Sequence, residues 1–215
     1  MVEQSDSFAL LESRIRAYYQ FHHHFYDATR WSFLFGRDLL LSRVHRLHPS
    51  PLHITEFGCG TGRNLLRLSK FFPHASLTGI DLSAEMLEIA RLRTRHLGSR
   101  ILLQQKTDFS SLRSPQDLIL FSYCLSMVNP GSKDLINSAL TYLRPSGLLC
   151  VVDFDCTSVN LYRRFMSANH VSLSGDLLPY LQSSTSPLCY QSLPAYLGIW
   201  RYFLFIGARP PRLNP

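Results

Sequence analysis

Between Phe8 and Tyr19 the apolar residues Leu11, Ile15 and Tyr18 recur at helical spacing behind Asp6 or Ser7, and this predicts an opening amphipathic helix. A second helical stretch runs from about Asp38 to Leu47 and stops at Pro49. From residue 52 the period changes. Leu52 to Phe57 reads as a strand, followed by a glycine-rich turn and a helix through about Phe71. Ser76 to Asp81 is a second strand, and the helix after it is capped at Ser83 with Glu85 in its first turn. Ile101 to Leu103, Asp117 to Ser122 and Leu148 to Val152 supply three more strands, with a helix from about Lys133 to Leu143 that ends before Pro145 and Gly147. Trp200 to Ile206 is a clear closing strand and Pro187 to Leu193 a weaker one before it. Strands that are apolar throughout and separated by helices imply an α/β fold with a parallel sheet covered on both faces.

Composition narrows this to one compact unit. A chain of 215 residues with 46% hydrophobic and 17% charged content can bury roughly 70% of its unfolded surface, which argues against disorder and against a second full domain. No stretch reaches the roughly 18 to 20 uninterrupted apolar residues of a membrane-spanning helix. The acidic opening Met-Val-Glu-Gln-Ser-Asp is unlike a secretory signal and points to a cytoplasmic protein. The net charge of +7 comes almost wholly from arginine, the lysines being Lys70, Lys106 and Lys133. An arginine excess suits an anionic partner. Its longest basic stretch, Arg91, Arg93, Arg95, His96 and Arg100, is flanked by Glu85 and Glu88 and reads as a solvated helix face, too sparse for a nucleic-acid track. The cysteines Cys59, Cys124, Cys150, Cys156 and Cys189 form no C-x-x-C pair and read as reduced thiols. Three adjacent histidines, His22 to His24, cannot all face one metal from one helical turn, so no metal is expected.

The chemistry concentrates where the first strand meets its helix, at Glu56-Phe57-Gly58-Cys59-Gly60-Thr61-Gly62-Arg63-Asn64. Alternate glycines let backbone approach a ligand where a Cβ would collide. The third glycine of a dinucleotide fingerprint is replaced by Arg63, and the Gly-Lys-Ser/Thr ending of a P-loop is missing. Asp81 closes the second strand, where a carboxylate can accept hydrogen bonds from both hydroxyls of a ribose. Asp108 and Phe109 follow the third strand, a carboxylate for an exocyclic amine and an aromatic ring for a purine. Ser122 and Tyr123 end the fourth strand, at the crevice outside the carboxyl ends of a parallel sheet.

Taken together, these stretches resemble the class I S-adenosylmethionine-dependent methyltransferases. Glu56 to Gly62, Gly79 to Ser83, Asp108-Phe109, Asp117 to Ser122 and Leu143 to Leu149 fall in the expected order between residues 52 and about 153. The resemblance implies a Rossmann-like sheet, mostly parallel with an antiparallel last strand, plus N-terminal helices. It implies S-adenosylmethionine as cofactor, held by the loop residues Gly58, Cys59, Gly60, Gly62 and Asn64, with Glu56 at the amino group and Asp81 at the ribose. Asp108 and Phe109 would hold the adenine, Leu82 and Met86 would border it, and Ser122 would complete the site.

A narrower resemblance joins Tyr26 to Arg37, Phe121 to Tyr123, Val152 to Phe154, Asp176 to Leu181 and Tyr202 to Gly207 to the bacterial betaine-lipid methyltransferases, which N-methylate diacylglyceryl-homoserine. This sequence is shorter between Asp155 and Gly175. The resemblance implies an amine-bearing lipid headgroup as acceptor, with peripheral contact at the inner face of a membrane. Tyr26 and Tyr123 are the candidates to border the transferred methyl. Arg30, Trp31 and Asp153 are the candidates for the acceptor, although Arg30 can equally stack on Trp31 or pair with Asp27, and the aromatic segment from Phe21 to Phe35 can equally pack on the sheet. A soluble small-molecule amine and a non-catalytic cofactor-binding role are the other readings. Residues 1–50 are then an N-terminal helical lid, 51–208 the cofactor-binding domain and 209–215 a frayed proline-rich tail.

Overall fold

A computed structural model describes residues 34–48, 50–112 and 114–210. The expected opening helix, the histidine run and the candidates Tyr26, Arg30 and Trp31 lie outside the described residues. Helix α1 (Arg37–Leu47) leads into β1 (His53–Phe57), α2 (Arg63–Phe71), β2 (Ser76–Asp81), α3 (Ala84–Thr94), β3 (Ile101–Gln105) and β4 (Gln116–Ser122). After a short 3-10 turn at Leu125–Met127 come α4 (Ser132–Tyr142), β5 (Leu143–Phe154), α5 (Asn160–Ala168), α6 (Leu177–Ser184), β6 (Ser186–Ala195) and β7 (Trp200–Ala208). The strands form one seven-stranded sheet in the order β3-β2-β1-β4-β5-β7-β6. Pairs from β3 across to β5 are parallel. The last strand, β7, runs antiparallel between β5 and β6, as expected.

Strand order reverses between β1 and β4, which lie side by side although a whole βαβ unit separates them in sequence. Such a switch point opens a crevice outside the carboxyl ends of the strands. Alternation along β4 explains why it is apolar throughout: Leu118 and Leu120 join the core beneath α1, α2 and α3. Ile119 and Phe121 join the core beneath α4 and α6. Ser83 caps α3 as the sequence predicts, its Oγ accepting from the Met86 N–H at 3.1 Å.

Two local readings change. Strand β5, expected from Leu148 after a helix running to about Leu143, already begins at Leu143: Leu143 pairs with Gln116, then the register shifts and resumes at Leu148 opposite Leu118. A bulge accommodates Pro145 and Ser146, the latter at φ 62°, without ending the pairing. Arg209, expected in the frayed tail, is anchored, since its N–H donates to the Gly147 carbonyl at 2.9 Å and its guanidinium reaches the Leu143 carbonyl. The basic stretch is partly tied inward as well: Arg93 donates to Thr61 Oγ1 at 2.6 Å, Arg100 to the Phe72 carbonyl at 3.1 Å, and Arg91 pairs with Glu88.

Candidate functional site

The glycine turn hangs from the ends of β1 and β2. Backbone N–H groups of Gly58 and Cys59 both donate to the Ile80 carbonyl, at 2.8 and 3.0 Å. The Gly60 N–H donates to Asp81 Oδ2 at 2.7 Å, and the Ser83 N–H to Asp81 Oδ1 at 3.0 Å. Asp81 thereby fixes the turn that precedes α2 and the cap that precedes α3. A carboxylate oxygen can accept more than one hydrogen bond.

Two glycines of the turn do different work. Gly58 has φ 72°, and a Cβ there would stand 2.6 Å from Cys124 Sγ, so this position is closed by the protein itself. Gly60 has φ 52°, and no described residue beyond its chain neighbours comes within 4 Å of a Cβ position there. Its bare backbone forms a ledge that a ligand can approach.

Glu56 stands one residue before the end of β1 and is 1% exposed. Asn64, in the first turn of α2, donates its side-chain amide to Glu56 Oε1 at 2.7 Å. Glu56 Oε2, Asn64 Oδ1 and Ser122 Oγ are all buried without a hydrogen-bond partner among the described residues. Three such orphans are costly in an interior. β4 pairs Phe121 with Phe57, which puts Ser122 level with Gly58, so the orphans gather around one mouth at the strand ends. Burial pushes the Glu56 carboxyl up to about 8, against the opposing pull of the Asn64 hydrogen bond and the positive charge of Arg37. An orphaned carboxylate oxygen beside an orphaned amide oxygen suits a cationic N–H donor.

Arg37, at the start of α1, is the member that sequence reading left without a role. It is half-buried, and burial together with Arg63 lowers its pKa while Glu56 pulls it back up. Its Nε donates to the Leu34 carbonyl at 3.3 Å, and it forms no ion pair among the described residues. The available signal was an arginine directly after Gly36 at a helix start.

Other candidates divide. Asp108 is exposed beyond β3, and hydrogen bonds from the Ser110 hydroxyl (2.6 Å) and N–H (3.0 Å) hold its carboxyl below the usual range. Leu82 is half-buried, and its carbonyl accepts from Gln105 Nε2 at 3.0 Å. Met86 is fully buried in α3. The thiol of Cys59 is buried, and desolvation raises its pKa well above normal, which suits packing better than nucleophilic chemistry.

Three readings need correction. The Phe109 ring is fully buried among Phe57, Phe121 and Tyr142, at centroid distances of 5.1, 6.2 and 5.7 Å, and so is core, with no face open to a purine. Tyr123 does not present its hydroxyl to the crevice. A left-handed backbone, φ 54°, turns its ring into the core with Phe154 at 4.8 Å, and its hydroxyl donates to the Phe35 carbonyl at 2.9 Å. Burial, with Asp153 nearby, raises its pKa well above that of a free phenol. Asp153 is likewise 0% exposed. The Ser126 N–H donates to its Oδ2 at 3.1 Å and the Phe154 N–H to its Oδ1 at 2.8 Å, so it fastens the 3-10 turn to the end of β5. No cluster of three or more metal-ligating side chains occurs among the described residues.

Comparison with known proteins agrees with this geometry. Residues 54–147 match the family described as "Methyltransferase domain". The chain is 36% identical over 112 residues to a trans-aconitate 2-methyltransferase of Acidovorax sp. (strain JS42), covering 52% of this chain and 41% of that protein. It thus spans less than half the length of that relative. Among solved structures it resembles the N-methyltransferase NodS of Bradyrhizobium japonicum WM9 in complex with S-adenosyl-L-homocysteine, with a TM-score of 0.67 and 20% identity over 81% of this chain and 86% of that one. It also resembles a Burkholderia thailandensis 1,6-didemethyltoxoflavin-N1-methyltransferase, with a TM-score of 0.70 and 16% identity over 96% and 90% of the two chains. At these identities the structural likeness is one of fold.

Proposed function

We propose that the chain is a class I S-adenosylmethionine-dependent methyltransferase that transfers a methyl group from this cofactor to a small acceptor entering at the carboxyl ends of β4 and β5, a reading supported by the methyltransferase-domain match over residues 54–147 and by the fold. The observation that carries this reading is the set of orphans around the open Gly60 ledge: Glu56 Oε2, Asn64 Oδ1 and Ser122 Oγ. Their donor and acceptor types fit the methionine end of the cofactor, whose ammonium satisfies Glu56 and Asn64 together. Asp81 then accepts from the ribose hydroxyls and Asp108 from the adenine amine, at successive strand ends.

When bound, S-adenosylmethionine supplies an electrophilic methyl: an acceptor lone pair forms the new bond to carbon while the carbon–sulfur electrons remain on sulfur as a neutral thioether. The protein's part is alignment and exclusion of water. Glu56 and Asp81 fix the two ends of the cofactor's sugar and amino-acid moiety. Tyr123 and Asp153, locked in backbone hydrogen bonds, stiffen the floor behind the reacting atoms. An acceptor amine must arrive uncharged, whereas a carboxylate acceptor needs no proton transfer.

A lipid headgroup remains the finer reading of the acceptor, favoured by one feature of the surface. Leu197 stands fully exposed at the β6–β7 turn, with Tyr196 and Ile199 beside it also exposed. Such an apolar tip fits contact with a membrane interface. No helix among the described residues is long and apolar enough to cross a membrane.

The experiment is an acceptor screen with labelled S-adenosylmethionine across amine-bearing lipids, soluble amines and small carboxylic acids, with product mass detection. A methylated product in any class is expected. Cofactor binding by calorimetry without turnover in any class would leave a binding protein and overturn the enzymatic reading.

A further inference from the structure

At the carboxyl ends of β4 and β5 the described residues line a half-open cleft of about 610 Å³, within the roughly 300–1,000 Å³ typical of small-molecule sites. Its wall comes from Met127 and Asn129 after β4, from Cys156 after β5, and from α5 with the segment behind it. The polar lining is one-sided. Arg163, His170, Asn129, Ser172 and Ser174 contribute to it, and neither Asp nor Glu does. The Arg163 guanidinium donates to the Thr157 carbonyl at 2.6 Å and pairs with no carboxylate among the described residues. Of its five N–H donors, most are therefore available to a ligand.

The wall is also fastened to the sheet. Ser172 donates its N–H to the Ser126 carbonyl at 2.8 Å, and Ser126 in turn donates its N–H to Asp153. Cys156 and Ser174 form an antiparallel bridge. A short path joins this cavity to the glycine turn. Cys124 Sγ abuts Gly58, and the Met127 N–H donates to the Cys124 carbonyl at 3.1 Å. One 3-10 turn, roughly 6 Å long at about 2 Å per residue, thus has the closed Gly58 end of the glycine turn on one side and the cavity on the other.

We propose that this cavity binds an anionic group of the methyl acceptor, a carboxylate or a phosphate, with Arg163 as its anchor. The proposal rests on the methyl-transfer reading above for its role, while the binding itself can be measured alone. A guanidinium fork with adjacent serine and asparagine donors matches the planar or tetrahedral oxygens of such an anion, and the lack of lining carboxylates removes the repulsion that would oppose it.

The test is calorimetric titration of the full chain with tricarballylate, with inorganic phosphate and with phosphatidylglycerol vesicles, in wild type, Arg163→Ala and Arg163→Lys. S-adenosylhomocysteine is titrated into each as a check on the fold and the ledge. At least one probe is expected to bind wild type and to lose tenfold or more in affinity in Arg163→Ala, with Arg163→Lys between the two and S-adenosylhomocysteine affinity unchanged within twofold. Binding confined to vesicles assigns the anion to a lipid headgroup, and binding of a soluble probe assigns it to a free acid; both uphold the site. Wild type binding none of the three, or Arg163→Ala and Arg163→Lys binding as wild type does, overturns it. If tricarballylate binds wild type while S-adenosylhomocysteine does not, the methyl-transfer reading falls and the anion site stands.

Discussion

Asn64, in the first turn of α2, holds Glu56, near the end of β1, through a hydrogen bond of 2.7 Å, and each residue keeps one buried oxygen with no hydrogen-bond partner among the described residues. This pair is unfavourable by itself and favourable with a donor-bearing ligand. Burial raises the Glu56 pKa from 4.5 to about 8. Between these values the folded protein holds a proton that the unfolded chain has released, so ligand-free stability is lost as pH rises from about 4.5 towards 8.

The first prediction follows from that proton. A ligand ammonium beside Glu56 favours the charged carboxylate, so binding S-adenosylhomocysteine at pH 7 should release a proton. Titration calorimetry in buffers of different ionisation enthalpy measures this directly. Glu56→Gln should abolish the release and weaken binding by about 1.5–3 kcal/mol, the range for a hydrogen bond to a charged group. Proton uptake on binding would contradict the assignment.

The second prediction separates Gly58 from Gly60, which share a left-handed backbone. Alanine at either position carries a strain of roughly 1–2 kcal/mol. Gly58→Ala adds a collision with Cys124, so its main loss should appear in thermal unfolding, by about 1–3 kcal/mol more. Gly60→Ala points its methyl into open space over the ledge. Its main loss should appear in cofactor affinity, at least tenfold. Equal effects of the two variants on affinity would show that Gly60 does not face the ligand.

How much of this was legible follows from how local each determinant is. The cap at Ser83, the apolar run Leu118 to Phe121 and the placement of Glu56 and Asp81 at strand ends depend on residues within a few positions of one another, and periodicity reports them. Tyr123 and Asp153 were placed correctly at strand ends but faced the wrong way. The direction of Tyr123 depends on a positive φ that a tyrosine rarely adopts, and Asp153 is claimed by the Ser126 N–H, 27 positions away in sequence. Arg37 gains its place only because α1 packs back over the sheet through Leu40, Leu41 and Val44. The cavity at Arg163 needs α5 and the bridge between Cys156 and Ser174, in a stretch where Leu161, Tyr162, Phe165 and Met166 do recur at helical spacing but where the bridge joins residues 18 positions apart, which no local pattern reports.

The third prediction concerns Tyr123 as a strut. Tyr123→Phe removes its hydrogen bond to the Phe35 carbonyl and should reduce stability by about 1 kcal/mol. The pH profile of kcat should keep its shape. Loss of a general base would instead lower kcat by about 10² to 10⁴ and remove a limb of the profile. That second outcome would return Tyr123 to the reacting centre.

The last prediction isolates Asp153 by its pH signature. Burial raises its carboxyl from 3.8 to about 6, although hydrogen bonds from Ser126 and Phe154 oppose the shift. Because the folded state retains the proton longer than the unfolded chain, this residue's contribution is fully present below about 3.8 and is lost as pH rises to about 6. Asp153→Asn carries no such charge. The stability of Asp153→Asn relative to wild type, read from urea unfolding at each pH, should therefore rise between pH 4 and pH 6 and level off above it. At every pH the variant also gives up part of the hold on the Ser126 N–H, a constant offset of about 1 kcal/mol. A difference that stays flat across that window would mean that Asp153 is as ionised in the fold as in water, and that the 3-10 turn is held without the buried proton.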